Sequence, residues 1–407
     1  MTNTTYYLLS LLAVLSLTGC FDDDDNRMTI VVDTPATYAF TRDGASTVSF
    51  SGQTTRLTMA DELATALLDF DRTEEELQNM FTNAAGTEPF TDPTLNASGK
   101  NLRSKVAASR DLFFTDASRA AEIRTTFDGW ISAQVGEVFP ARDQLAGPGT
   151  PGQVADGATP RYVNAWGLEY NQAFTKGLIG ALMYDQVANN YLRPSVLDGD
   201  NRRADNDAGV TEDGAAYTAM EHRWDEAYGY VFGAAADPLT APLADLGTAD
   251  GYLNKYLGRV NADADFAGIA ARIDNAFRRG RAAIVAGNYE VRDEQAAVIR
   301  KALREVILIR AVYYLMQGKA NLEATPTEFG AAFHDLSEGY GFVYGLNFLV
   351  SYDTDEVLDH RGVADQTLAT LRNEAGNGFW DVAPAALEEA ATEIAGLSNF
   401  TVEQAGS

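Results

Sequence analysis

Two of the three histidines in this chain stand at the same position of a motif that occurs twice. The copies, His222–Gly233 and His334–Gly345, align without a gap in the pattern H-x-x-x-E-x-Y-G-aromatic-V-aromatic-G. In each copy a glutamate, Glu226 or Glu338, follows the histidine by four residues. Because four residues make about one turn of a helix, the motif predicts an imidazole and a carboxylate on the same helix face.

The motif also places two glycines along that face of each predicted helix, Gly229 and Gly233 in one copy and Gly341 and Gly345 in the other. A glycine inside a helix costs about 1 kcal/mol relative to alanine. The pattern therefore predicts that a neighbouring helix approaches these glycines closely. The histidine and the glutamate would then lie on the packed face of the helix.

A histidine and a glutamate one turn apart on a packed face can serve three kinds of chemistry. They can form a structural polar pair, supply two ligands to a metal such as iron, zinc or manganese, or act in acid–base catalysis. A metal would need further ligands from neighbouring helices, and Glu169 and Gln172 are candidates. The sequence has no His-Glu-x-x-His helix and shows no catalytic triad, so we expect a protein that is not an enzyme.

Four basic residues stand close to glycines, at Arg56, Lys100, Arg103 and Lys105. One interpretation is an anion-binding pocket at a helix start. The alternative is a set of salt bridges to the acidic majority of the chain, whose formal net charge is −27 over 407 residues. The same charge argues against nucleic acid as a partner, because phosphate binding needs a basic surface.

The N-terminal segment predicts export and lipid anchoring. The apolar run Leu8–Leu17 is too short to span a bilayer, which takes roughly 20 apolar residues, but it suits a signal peptide. The Leu-Thr-Gly-Cys sequence that ends at Cys20 resembles the lipobox of bacterial lipoproteins, in which the cysteine becomes the lipidated first residue. Cys20 is the only cysteine, so no internal disulfide can form. Phe21, rather than an aspartate, follows Cys20, which favours the periplasmic face of the outer membrane and leaves surface exposure open.

The rest of the chain has a helical pattern. The acidic run Asp22–Asp25 predicts a solvated tether, and Thr29–Val32 and Thr47–Phe50 predict short extended segments. From Thr58 onward the apolar periodicity predicts helices. Further helices are predicted at Ser104–Gln134, Tyr162–Tyr191, Gly214–Gly233, Asp265–Gly287, Asp293–Leu322, Thr327–Val350 and Pro384–Gly396.

The motif copies and the segments before them, Ala181–Leu192 and Ala311–Leu322, align with each other. We therefore predict an all-α fold, a helical bundle of two repeats with short extended segments near the N-terminus. The expected division is a lipoprotein signal peptide (1–20), a tether and extended lead-in (21–57), a first repeat (58–258) and a second repeat (259–407).

Three segments and both motif copies resemble the bacterial lipoprotein family known as domain of unknown function 4856. The segments are Ser51–Leu57, Ser98–Lys105 and Trp166–Gln172. That family is similar in outline to imelysin-like proteins, which are periplasmic proteins of two related helical bundles associated with iron uptake. The resemblance implies an imelysin-like fold and a connection with iron.

The sequence departs from the imelysin signature at two points. Met220 and Ala332 stand where imelysins have a glycine two residues before the histidine, and the glutamates follow at the fourth position rather than the third. An imelysin-type metal site therefore does not follow from the resemblance.

Two functions are consistent with the sequence. In the first, a lipid-anchored periplasmic protein binds iron, another divalent metal or an iron compound through His222, Glu226, His334 and Glu338, as an accessory of iron uptake. In the second, these residues are structural, and the lipoprotein docks an outer-membrane receptor or a periplasmic partner without a metal.

Overall fold

A computed structural model describes residues 31–350 and 360–407. Helices make up 61% of the structure and strands 4%, which confirms the predicted all-α class. The signal peptide, Cys20 and the acidic tether lie outside the described residues. Among the residues described, we find no helix with both the length and the apolar character needed to cross a membrane.

The described chain forms α-helices of very different lengths, from four residues to 35. They are α1 (Ser51–Ala66), α2 (Glu74–Thr82), α3 (Pro93–Ala97), α4 (Arg110–Phe113), α5 (Ala117–Ala133), α6 (Tyr170–Leu178), α7 (Pro194–Leu197), α8 (Arg202–Asp207), α9 (Ala219–Phe232), α10 (Leu253–Ala262), α11 (Ile269–Val285), α12 (Tyr289–Glu323), α13 (Phe329–Gly345), α14 (His360–Arg372), α15 (Pro384–Ala395) and α16 (Val402–Gly406).

Shorter helical turns and two small sheets complete the described part of the chain. The π-helical turns Ile179–Tyr184 and Val187–Tyr191 continue α6, and Gln134–Val138 continues α5. The 3-10 turns are Arg103–Lys105, Phe139–Ala141, Leu346–Phe348 and Gly378–Trp380. The antiparallel strand pairs are β1 (Thr41–Arg42) with β2 (Ala45–Ser46), and β3 (Gly152–Val154) with β4 (Arg161–Val163).

Two local predictions near the N-terminus differ from the structure. Helix α1 begins at Ser51, seven residues before the predicted start at Thr58. Its N-cap, Phe50, offers no side-chain hydrogen bond, so the sequence carries no capping signal there. The hydroxyl of Thr58 instead donates to the carbonyl of Thr54 inside the helix, at 3.1 Å. The predicted segment Thr47–Phe50 forms no strand, and β1 and β2 precede it.

The long helix α12 lies at the centre of the packing, against α11, α13, α15 and α16. Helix α6 packs against α13, while its π-helical continuation packs against α9. Helices on both sides of the predicted boundary at 258/259 therefore contact one another. The division into two repeats stays a prediction.

The glycines of the two motifs allow the close approach that the sequence predicts. A Cβ atom added to Gly229 on α9 would lie 2.5 Å from the Cβ of Phe50, just before α1. A Cβ atom added to Gly341 on α13 would lie 2.5 Å from the Cβ of Lys176 on α6. Real Cβ contacts are longer than this, so both positions require glycine, and the predicted close packing is confirmed.

Candidate functional site

The first motif histidine and glutamate each bond to protein groups near α1. The Nδ1 atom of His222 lies 3.1 Å from the carbonyl oxygen of Ser49, and its imidazole stacks on the ring of Tyr217. Glu226 accepts a hydrogen bond from the Nε2 atom of Gln53 at 3.1 Å and forms an ion pair with Arg223. Each of the two side chains is thus held by other protein groups rather than by the other, which fits a structural role.

The second motif contains a buried ion pair. The Nδ1 atom of His334 lies 2.6 Å from the Oε2 atom of Glu169, so the structure brings Glu169 to this motif, and its role as a metal ligand stays a prediction. The Oε1 atom of Glu338 lies 3.1 Å from the Nζ atom of Lys176 and accepts a hydrogen bond from the hydroxyl of Tyr256 at 3.3 Å. Glu338 and Lys176 are both buried.

Opposite charges hold this second cluster in its ionised form. Burial alone would raise the pKa of Glu338, but the charges of Lys176 and His334 outweigh it and bring the pKa to about 2. Burial alone would lower the pKa of His334, but the hydrogen bond and the charge of Glu169 raise it above its ordinary value. At neutral pH the Glu338 carboxylate is therefore charged and paired.

The donor atoms around the motifs bear on the metal interpretation. Within residues 31–350 and 360–407, no three His, Cys, Asp or Glu side chains are grouped so that they could hold a metal ion. The ammonium group of Lys176, and not a cluster of further ligands, lies beside the Oε1 atom of Glu338. The side-chain oxygen of Gln172 is buried without a hydrogen-bond partner and does not bond to His334. The metal hypothesis stays a prediction that no contact in the described structure supports.

Three of the four predicted anion contacts come together, and the fourth does not. Lys100 and Arg56 converge beside Gly52, where their Cε and Nη1 atoms lie 3.4 and 3.5 Å from an added Cβ. Burial and the nearby charge of Arg56 lower the pKa of Lys105, which places Lys105 in the same cluster. Arg103 instead forms an ion pair with Asp128 at 2.7 Å.

A second cluster of basic side chains surrounds the ring of Tyr256, whose hydroxyl bonds to Glu338. Four cationic groups lie 5.6 to 5.7 Å from the centre of this ring: Lys176, Lys255, Arg259 and Arg310. These residues come from three helices, and no local sequence pattern joins them. Sequence reasoning missed this cluster for that reason.

A buried ionic network on α9 was also missed. The guanidinium of Arg281 is completely buried; its Nη1 atom lies 2.9 Å from Glu221 and its Nε atom 3.1 Å from Asp225. Tyr38 donates a hydrogen bond to Asp225 at 2.7 Å, which ties the extended lead-in to the helix. The sequence did carry a signal at Glu221, although not for the ionic network. Thr218 and Glu221 have the spacing of a capping box at the start of a helix, and they form one at the start of α9.

An open cleft of about 520 Å³ lies beside α4 and α5. We call it the Phe114 cleft; it is lined by Ala107, Ala108, Ser109, Arg110, Phe113, Phe114, Ala117, Ala120, Arg124 and Asn190. Phe114 is 80% exposed, and four alanines and Phe113 form the apolar part of the wall beside it. Arg110 and Arg124 supply positive charge to the same cleft.

The wall of the Phe114 cleft is fixed by backbone hydrogen bonds. Ala107 has a positive φ of 48°, which is uncommon for a residue with a side chain, and its N–H donates to the carbonyl of Ala181. The buried carboxylate of Asp185 accepts from the N–H groups of Ala108 and Ser109. Burial nevertheless raises the pKa of Asp185 to about 6.

The fold and the site together define a class of protein, an all-α helical protein with two glycine-lined motif helices that each carry a histidine and, one turn later, a glutamate. The chain belongs to the family described as Domain of unknown function (DUF4856), whose sequence model matches residues 35–401. No curated protein and no solved structure matches the chain.

Proposed function

We propose that this protein is a lipid-anchored, non-enzymatic docking module that binds a partner protein at the periplasmic face of the outer membrane. The observation that carries the proposal is the Phe114 cleft, where a largely exposed aromatic side chain stands beside an apolar wall. Exposed apolar surface of this kind marks interaction sites in soluble proteins. The motif residues support the same proposal. Their histidines and glutamates already bond to protein groups, which is what a structural role requires.

The cleft restricts the chemistry of the partner. Its volume of about 520 Å³ accommodates a few side chains of a protruding segment. The apolar wall favours an apolar or aromatic residue in that segment, and Arg110 and Arg124 favour neighbouring carboxylates. The proposed partner is therefore an outer-membrane receptor or a periplasmic protein with an acidic, apolar segment.

The membrane part of the proposal depends on the N-terminal sequence. A lipid on Cys20 would hold the protein at the membrane, and the acidic run Asp22–Asp25 would separate the lipid from the folded part. The lipid would then keep the docking surface close to partners at the same membrane.

Phe114→Asp is expected to reduce partner binding at least tenfold, because a buried aromatic anchor typically contributes about 2 kcal/mol to an interface. A photo-crosslinking residue placed at Ala117 in the full-length chain, in the cells that make the protein, should yield a covalent adduct of defined mass. The adduct should be lost in the Phe114→Asp variant.

Leu145→Asp is the matched control for this experiment. Leu145 is as exposed as Phe114, at 83%, but does not line the cleft. Its variant should form the adduct in normal yield. The docking proposal is refuted if no adduct forms, or if both aspartate variants reduce its yield equally.

The metal alternative is tested by replacing both motif histidines. The variant with His222→Ala and His334→Ala should contain as much iron, zinc and manganese as the wild type when the purified proteins are analysed by mass spectrometry. Its free energy of unfolding should fall by about 1–3 kcal/mol, because the buried Glu169 loses its hydrogen-bond donor. If the wild type contains one of these metals stoichiometrically and the variant lacks it, the result would instead favour the hypothesis that the protein binds a metal as an accessory of iron uptake.

A further inference from the structure

A second cleft, of about 480 Å³, lies between α10, α12 and α16. We call it the Arg310 pocket, and the residues that matter for its chemistry are Arg259, Val260, Asp263, Ile309, Arg310 and Tyr313. It shares no lining residue with the Phe114 cleft. Nothing in the motif analysis pointed to it.

Arg310 is a charged side chain that is only 5% exposed, and its Nε and Nη2 atoms have no hydrogen-bond partner. Its guanidinium lies over the rings of Tyr313 and Tyr314, at 3.9 and 4.5 Å from the ring centres. Stacking covers the faces of the guanidinium, but its N–H groups point outward in its own plane. A buried donor without an acceptor is costly, so these N–H groups call for a ligand.

The carboxylates close to this pocket are already engaged. Glu338 pairs with Lys176, Asp335 accepts from the side chain of Asn321, and Asp263 accepts from the N–H of Asp265. In the part of the chain that the structure describes, neither Arg310 nor Arg259 forms an ion pair. Asp263 and Ser407 also line the pocket, but the described structure has no ion pair between Asp263 and either arginine.

We propose that the Arg310 pocket binds a small organic anion, with its phosphate or carboxylate group held by Arg310 and Arg259. A guanidinium presents two parallel N–H donors whose spacing matches two oxygens of such a group. The apolar part of the ligand packs against Tyr313, Val260 and Ile309, which form the other wall. This site is independent of the docking surface proposed above.

The test is calorimetric titration of the full-length protein in detergent with three probes: phenyl phosphate, benzoate and inorganic phosphate. Binding of phenyl phosphate or benzoate with a dissociation constant below about 1 mM is expected, and the tighter of the two identifies the preferred oxyanion. Inorganic phosphate should bind more weakly, because it lacks the apolar part. The absence of binding by all three probes would overturn the proposal.

Two variants locate the binding. Arg310→Met and Arg259→Ala should each weaken the preferred probe about tenfold or more, since each removes a charge-assisted hydrogen bond. Arg259 is exposed, so we expect its variant to fold normally. It therefore tests the site even if replacement of the buried Arg310 disturbs the structure. Arg72→Ala removes an arginine that pairs with Asp69 on the surface, and it should bind like the wild type.

The control variants separate this site from the docking surface. Phe114→Asp should bind the probe with unchanged affinity, so that failure of one proposal leaves the other testable. Equal affinity in the wild type and in Arg259→Ala would show that the anion binds elsewhere and would refute the assignment.

Discussion

Replacing Arg281 with methionine is expected to lower the free energy of unfolding by about 3–5 kcal/mol at pH 7, the largest stability effect that we predict. Arg281 is the counter-charge of two carboxylates, Glu221 and Asp225, whose side chains are completely buried. Methionine fills a similar volume but carries no charge. Asp225 would then be buried without a counter-charge, while Glu221 would keep only its ion pair with Arg42.

The loss should depend on pH in a defined direction. Burial raises the pKa of Asp225 from its ordinary 3.8 to about 6, although Arg281 stabilises its charged form. A raised pKa means that the protonated carboxyl favours the folded state at low pH and that this contribution disappears as the pH rises through about 6. Without Arg281 the pKa rises further. The deficit of Arg281→Met should therefore be smaller at pH 5 than at pH 8.

Urea denaturation of the wild type and of Arg281→Met at both pH values measures this effect. Arg272→Met is the control, because Arg272 lies on the same helix, α11, and forms one exposed ion pair with Glu305. An exposed pair contributes less than about 1 kcal/mol. Equal losses in the two variants would show that the buried network adds nothing beyond a surface pair.

The features that the sequence predicted correctly are those set by neighbouring residues. The helices α12, α13 and α15 begin and end within about five residues of their predicted bounds. Apolar periodicity identifies these helices in the sequence, and glycines or prolines indicate where they begin or end. The close approach at Gly229 and Gly341 was predictable for a similar reason. A glycine destabilises the helix that contains it, so its presence indicates close packing by a neighbouring segment. Helix geometry alone places the glycines of each motif on one face.

The features that the sequence could not predict depend on which distant groups meet. A charged residue in a sequence has many possible partners, and only the tertiary packing selects one. For Arg103 the salt-bridge alternative holds, but the sequence could not single out its partner, Asp128 on α5. The residues around Lys176 form no motif that predicts a partner for it. In the structure Lys176 pairs with the motif glutamate Glu338, more than 160 residues away. The two clefts form where loops and helix ends meet the sides of α5 and α12, and no periodic pattern in the sequence marks such a meeting.

The two motif glutamates share a role that neither the metal nor the catalytic interpretation contains. Glu226 pairs with Arg223 beside the basic cluster of Arg56 and Lys105, and Glu338 pairs with Lys176 in the cluster around Tyr256. In both places the carboxylate compensates basic side chains close to the glycine-lined helix. This role explains why a glutamate stands on a packed helix face in each motif, without invoking a bound metal.

Glu338→Gln tests this role and is expected to lower the free energy of unfolding by about 3 kcal/mol at pH 7. The ammonium of Lys176 would remain buried without its carboxylate. The pKa of Glu338 is about 2 in the folded protein against an ordinary 4.5. A lowered pKa means that the stabilisation is complete above about pH 4.5 and is lost as the pH falls towards 2. The difference between wild type and variant should therefore shrink over this range of pH.

A double variant shows whether the cost arises from the unpaired ammonium. Lys176→Met with Glu338→Gln removes both charges and should recover much of the stability lost in Glu338→Gln, because replacing both partners of a buried pair is close to neutral. Glu323→Gln, which removes an exposed partner of Lys319, serves as the control with a loss below about 1 kcal/mol. If Glu338→Gln is as stable as this control at pH 7, or if its deficit stays constant down to pH 2, the carboxylate does not compensate Lys176. The motif glutamate would then need another explanation, and a bound cation would be the first to test.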